Sequence, residues 1–150
     1  MAKLKKELGL SGFRNDWEKI QINIHYTGQW TKGKIAQFFK QFGITHQQFN
    51  VLRILDNHDK RSISVVDIKS NLLENDSDVP RLLGRMVEKN LVNKSKSKLD
   101  KRCSLISLTQ EGKEKFDLVS NELNKMDQIF YNLSKKELKN LNKLLDKIRV

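Results

Sequence analysis

The chain has 150 residues, 37% of them hydrophobic, a mean hydropathy of −0.62 and a formal net charge of +11. That length is most simply one domain (1–150); no apolar run approaches the ~18 residues of a membrane span, and the basic opening MAKLKKELGLSGF is too broken for a signal peptide, so the expected setting is the cytoplasm. The charge favours a polyanionic partner such as DNA, RNA or an anionic membrane surface, and the lone Cys103 excludes an internal disulfide.

Residues 14–42 read as a long helix. Trp17, Ile20, Ile24, Thr27, Thr31, Ile35, Phe38 and Phe42 step by three and four, and Gly43 stops the run. Ile22, Tyr26 and Trp30 form a second apolar set off that stripe, which suggests a partner chain. Thr45-His-Gln-Gln48 has the form of a capping box, opening a helix with Phe49, Leu52 and Leu55 on one face. After the polar loop NHDKR, Ile63 is a short strand residue. Ser64-Val-Val-Asp67 then starts a short helix through Ile68 and Leu72.

Asn75-Asp-Ser-Asp78 is rich in caps and acids suited to a helix N-terminus, and Pro80 fits only its first turn. Val79, Leu82, Leu83, Met86 and Val87 are its expected buried face; Asp78, Arg81 and Arg85 fall opposite. Leu91-Val92 and Cys103–Leu108 read as two strands of a hairpin, with Lys94, Lys96, Lys98, Asp100, Lys101 and Arg102 between. The hairpin stretch 93–109 carries 5 basic groups and 1 acid, whereas 45–92 carries 7 of each. The basic excess of the middle of the chain therefore lies on the hairpin. Thr109 caps a helix predicted to run through Phe116, Val119, Leu123, Met126, Phe130 and Leu133, and Ser134-Lys-Lys-Glu137 opens a last one with Leu138, Leu141, Leu145 and Ile148. Such seams suit helix packing, within the chain or between two chains.

Three helices and a hairpin in this order form a winged helix–turn–helix. The stretch SDVPRLLGRMVEKNLVNKSKSKLDKRCSLISLTQEGKEKF adds detail: a recognition-helix start, the passage MVEKNLV into a wing, Asp100-Lys-Arg102 as an Asp-x-Arg wing signature, and the exit SLTQEGKE. With these residues the chain resembles the multiple-antibiotic-resistance regulator (MarR) family over about residues 14–148. The resemblance implies a mainly α fold with a small β-hairpin, a winged helix–turn–helix at about 45–109, and dimerisation helices at about 14–42 and 110–150. It implies a homodimer on a pseudo-palindromic operator, usually repressing and often released by a small aromatic ligand. The implied DNA-contact set is Ser77, Asp78, Arg81, Arg85, Lys94, Lys96, Lys98, Asp100, Lys101 and Arg102. In two places the chain departs from the family: Pro80 replaces a Thr or Ser that could touch DNA, and Asn90 replaces a Gly, a change the left-handed conformation tolerates.

Each residue also has a plainer reading. Arg81 and Arg85 could pair with Asp78 and Glu88 on the surface, worth about 0.2–0.5 kcal/mol each. Asp100 could simply form a turn, rather than orient Arg102 towards the minor groove. Tyr26, Trp30 and Phe49 could line a ligand pocket or belong to the core. His25, His46 and His58 lack metal-ligand spacing, so no metal and no cofactor is expected. Cys103 is most simply a strand residue, although Lys101 and Arg102 could activate it. Without a catalytic arrangement, the chain is not expected to be an enzyme. The alternatives to a sequence-specific regulator are a protein-interaction adaptor on the same fold and a sequence-tolerant nucleic-acid binder.

Overall fold

In the computed structural model, which describes residues 3–58, 62–72, 78–97, 100 and 102–149, the helix starts read from the sequence are made by the expected side chains. Thr45 and Ser134 each close a full capping box, with Gln48 and Glu137 as the returning partners. Ser64 and Thr109 accept from Asp67 N–H and Gly112 N–H. The helices are α1 (Lys3–Leu8), α2 (Asp16–Lys40), α3 (His46–Asp56), α4 (Val65–Asn71), α5 (Val79–Glu88), α6 (Gln110–Ser120), α7 (Leu123–Asp127), which runs on into a 3₁₀ turn at Gln128–Phe130, and α8 (Lys135–Ile148). α1 has no counterpart in the reading of the sequence.

Strands β1 (Ile63–Ser64), β2 (Val92–Lys96) and β3 (Ser104–Leu108) form an antiparallel sheet in the order β1-β3-β2. Ile106 lies opposite both Ile63 and Lys94 and is fully buried. The hairpin is joined to α5 by Asn90, whose φ of 54° is the left-handed turn expected where relatives carry Gly. Thr109 Oγ1 donates to Asn90 O at 2.6 Å and Thr109 N–H to Leu91 O at 3.3 Å, which closes the hairpin base.

The core is organised around aromatic rings. Phe39 of α2 packs against Phe49 of α3 with ring centroids 5.1 Å apart, and Phe49 stacks on Phe116 of α6 at 5.6 Å. Val51, Leu52, Ile68, Leu83 and Met86 fill the space between α3, α4, α5 and the sheet. Around this core Lys113 Nζ bridges Asp56 at 2.7 Å and Asp117 at 2.9 Å, and those hydrogen bonds, Asp56 first, hold its pKa above the usual lysine value.

Three expectations are corrected. The helix predicted through residue 133 ends at Ser120, where Asn121 N–H turns back to Asp117 O and Val119 O. The break lets Leu123 and Met126 still reach the core, which one straight helix would leave. Val87 is exposed, because the buried stripe of α5 ends at Met86. On α2 only Phe38 and Phe39 are buried; Trp17 is 83% exposed, and Ile20, Ile24 and Trp30 are exposed with it. Phe39, the most buried residue of α2, stands outside the stripe traced from the sequence.

Two glycines separate packing from flexibility. A Cβ on Gly112 would lie 1.9 Å from Leu91 O, at the hairpin base, whereas one on Gly84 would meet nothing within 4 Å. Gly112→Ala should therefore lower stability by about 2–3 kcal/mol, as overpacking does. Gly84→Ala should raise it by about 0.5–1 kcal/mol by removing a mid-helix glycine. Urea unfolding of both variants checks the opposite signs.

Candidate nucleic-acid interface

The amphipathic split of α5 decides what it can offer. Val79, Leu82, Leu83 and Met86 are sunk in the core, so Arg81, Gly84, Arg85 and Glu88 face outward. Asp78 caps the helix, its Oδ1 accepting from Arg81 N–H at 3.2 Å. It is thus engaged with the helix start. Among the described residues no carboxylate pairs with Arg81 or Arg85, so the surface ion pairs Asp78–Arg81 and Arg85–Glu88 are not formed. Both guanidiniums are free to bond a phosphate or a base edge. Ser77 lies outside the described residues, as do Lys98 and Lys101 of the hairpin tip.

Of the two hairpin strands, β2 carries the charge and β3 has none. Lys94 and Lys96 are exposed and share a strand face with Val92, so the buried Val92 anchors the strand while the two lysines project beyond the core. The tip is closed by Ser97 N–H donating to Cys103 O at 3.0 Å and Cys103 N–H to Asp100 O at 2.9 Å. Asp100 Oδ1 accepts from Arg102 N–H at 2.9 Å, and Asp100 Oδ2 from the Cys103 thiol at 3.5 Å. Asp100 is thus a turn-forming aspartate. It fixes Arg102 through the main chain and leaves the exposed guanidinium unpaired among the described residues.

The three aromatics of the expected pocket lie in different environments. Phe49 is closed into the core between Phe39 and Phe116, Tyr26 is half-buried, and Trp30 is exposed beneath Lys34 Nζ at 6.0 Å. A groove of about 1110 Å³ does exist, between α2 and α8, but Ile24, Ile35, Leu141, Leu144 and Ile148 line it and none of those three does. His46 stacks on Phe39 at 5.1 Å, and among the described residues no group of three His, Cys, Asp or Glu side chains could hold a metal ion.

Three lysines escaped the sequence reading. Lys113 bridges α3 and α6, while Lys89 and Lys115 reach the carbonyls of Gly43 and Phe42, beyond the end of α2. Lys89 is 46 residues from its partner and Lys115 is 73 from its own, so no local pattern could have marked them.

The Asp100 hydrogen bond, and secondarily its charge, pushes the Cys103 thiol above its ordinary pKa. A raised pKa means less thiolate at neutral pH, so this environment does not favour a reactive thiol. The rate of Cys103 alkylation against pH should have its midpoint above that of a free cysteine, and Asp100→Asn should move the midpoint down. A midpoint below that of free cysteine would contradict this geometry.

Known proteins place the architecture. The family described as transcriptional regulator SarA/Rot matches residues 34–119. The HTH-type transcriptional regulator MgrA of Staphylococcus aureus is 30% identical over 128 residues, covering 85% of this chain and 80% of its own. Among solved structures, a mutant E. coli MarR complexed with operator DNA matches with a TM-score of 0.75 at 25% identity, covering 92% of this chain and 99% of that one. A MarR-like regulator from Bacillus cereus reaches 0.79 at 22% identity, covering 89% and 96%, which shows the shared fold. The arrangement of α3, α4, α5 and the hairpin is thus the winged helix–turn–helix of MarR proteins, and the chain belongs to the SarA/Rot family of transcriptional regulators.

Proposed function

We propose that two copies of this regulator join through α2 and α8 and repress by occupying a pseudo-palindromic operator. Each α5 would enter a major groove, and each hairpin would reach along the flanking backbone. The observation that carries the reading is the pair of arginines, Arg81 and Arg85, which pair with no carboxylate among the described residues, on the outward face of a helix whose other face is locked in the core. Beside it lies a hairpin strand that exposes Lys94 and Lys96. The likeness to a MarR solved on operator DNA supports it.

The dimer is supported by the faces of α2 and α8. Trp17, Ile20 and Ile24 on one, and Leu141, Leu144 and Ile148 on the other, are each at least 42% exposed. Exposed apolar side chains gathered in this way mark an interaction surface. A symmetric pair would place the two α5 helices on half-sites about 10–10.5 bp apart. With the DNA-facing unit close to neutral outside the hairpin, phosphate attraction from the wings should dominate affinity and weaken steeply with salt.

In sedimentation the chain should run at twice its 17.6 kDa, and Leu144→Lys should return it to a monomer. In titrations with operator DNA, Arg81→Ala should cost about 1–3 kcal/mol and relax the preference at one base position, whereas Lys96→Ala should weaken all sequences evenly and reduce the salt slope by about 1. Unchanged binding in both Arg81→Ala and Arg102→Ala would show that α5 and the hairpin are not the DNA face.

A further inference from the structure

The turn that follows α2 satisfies the end of the helix: Gly43 turns the chain at φ +70°, and the N–H groups of Gly43 and Ile44 return to Lys40 O and Phe39 O. The carbonyls of the turn itself, Phe42 O and Gly43 O, are taken by no backbone N–H among the described residues. Two lysines from distant elements take them. Lys115 of α6 donates to Phe42 O at 3.1 Å, and Lys89 donates to Gly43 O at 2.7 Å. Cations at the negative end of a helix dipole are favourably placed.

Lys89 is the C-cap residue of α5, directly before the left-handed Asn90. Its amine therefore links the end of α5 to the end of α2 without passing through the core. In a dimer held at α2 and α8, α5 turns about the Lys89–Gly43 contact at its C-terminal end. α5 has 10 residues, and at 1.5 Å per residue it spans about 15 Å. A swing of about 7° would move its Arg81 end by about 1.8 Å, and opposite swings in the two protomers would change the separation of the two α5 helices by about 3.6 Å, close to the 3.4 Å rise of a base pair.

We infer that Lys89 is a positioning residue which fixes α5 at one angle to α2 and thereby sets the half-site spacing that the dimer accepts. The inference rests on the dimeric reading above. Lys89 acts through Gly43 O and not through DNA, so its loss should loosen geometry without removing a phosphate contact.

The test is affinity for synthetic palindromes whose half-sites are moved apart or together by one base pair, with wild type, Lys89→Met, Lys89→Arg and Lys115→Met. Wild type should prefer one spacing by about tenfold, and Lys89→Met should cut that preference to about threefold or less, while its salt slope stays unchanged. Lys89→Arg, which keeps a donor, should preserve most of the preference. Lys115→Met, which leaves the α5 link intact, should preserve it too, provided thermal melts show both Met variants folded. An undiminished preference in Lys89→Met would overturn the inference, as would a salt slope reduced by about one, which marks a direct phosphate contact. Wild type that runs as a monomer, or that binds all spacings alike, would instead overturn the dimeric reading and this inference with it.

Discussion

The ring column Phe39–Phe49–Phe116 is the contact on which the rest of the structure depends. It joins the consecutive helices α2 and α3 to α6, which lies far along the chain. Aromatic side chains bury large areas and pack at defined angles, so the column locates the long α2 against the winged unit as well as filling the core. α5 and the sheet are then placed by Leu83, Met86, Val92 and Ile106, all at 1% exposure or less. The lysines at the end of α2 and the Lys113 bridge lie around this column and add orientation to a position that the rings already set.

The functional surface follows from what that packing leaves outside. A helix with one face fully committed to the core must present the other. On α5 the other face is Arg81, Gly84, Arg85 and Glu88. The hairpin adds charge where the helix has little net charge of its own. On the proposed reading affinity and specificity are separated in space: flexible lysines on the wing would attract phosphates, and forked arginines on the helix would read base edges. Asp100 belongs to the scaffold of that wing. By accepting from the Arg102 main chain and the Cys103 thiol it holds the tip in shape, at the cost of a negative charge near the proposed DNA-facing surface.

Much of this was legible in the residues because it is local. Capping boxes at Thr45 and Ser134, the caps at Ser64 and Thr109, the left-handed Asn90 and the alternation of the hairpin are decided within three or four residues. What was not legible depends on three-dimensional packing. The stripe from Phe116 to Leu133 fits one helix equally well until the core surface curves away, and the chain breaks at Asn121. Phe39 lies off the α2 stripe, yet the core meets the C-terminal end of that helix broadly enough to take Phe39 together with Phe38, Ile35 and Phe42 of the stripe, a width the periodicity does not mark. Tyr26, Trp30 and Phe49 looked like a set by residue type, yet burial separates them. The lysine contacts to Phe42 O and Gly43 O involve main-chain acceptors, which leave no trace in sequence.

The central claim is that a symmetric pair of these chains reads DNA with α5 and grips it with the hairpin. The most direct measurement is selection of bound duplexes from a random pool at moderate salt, followed by sequencing. One short motif should be enriched as an inverted repeat, with half-site centres about 10–10.5 bp apart. Recovery of no motif, or of a single unpaired motif without dyad symmetry, would contradict it.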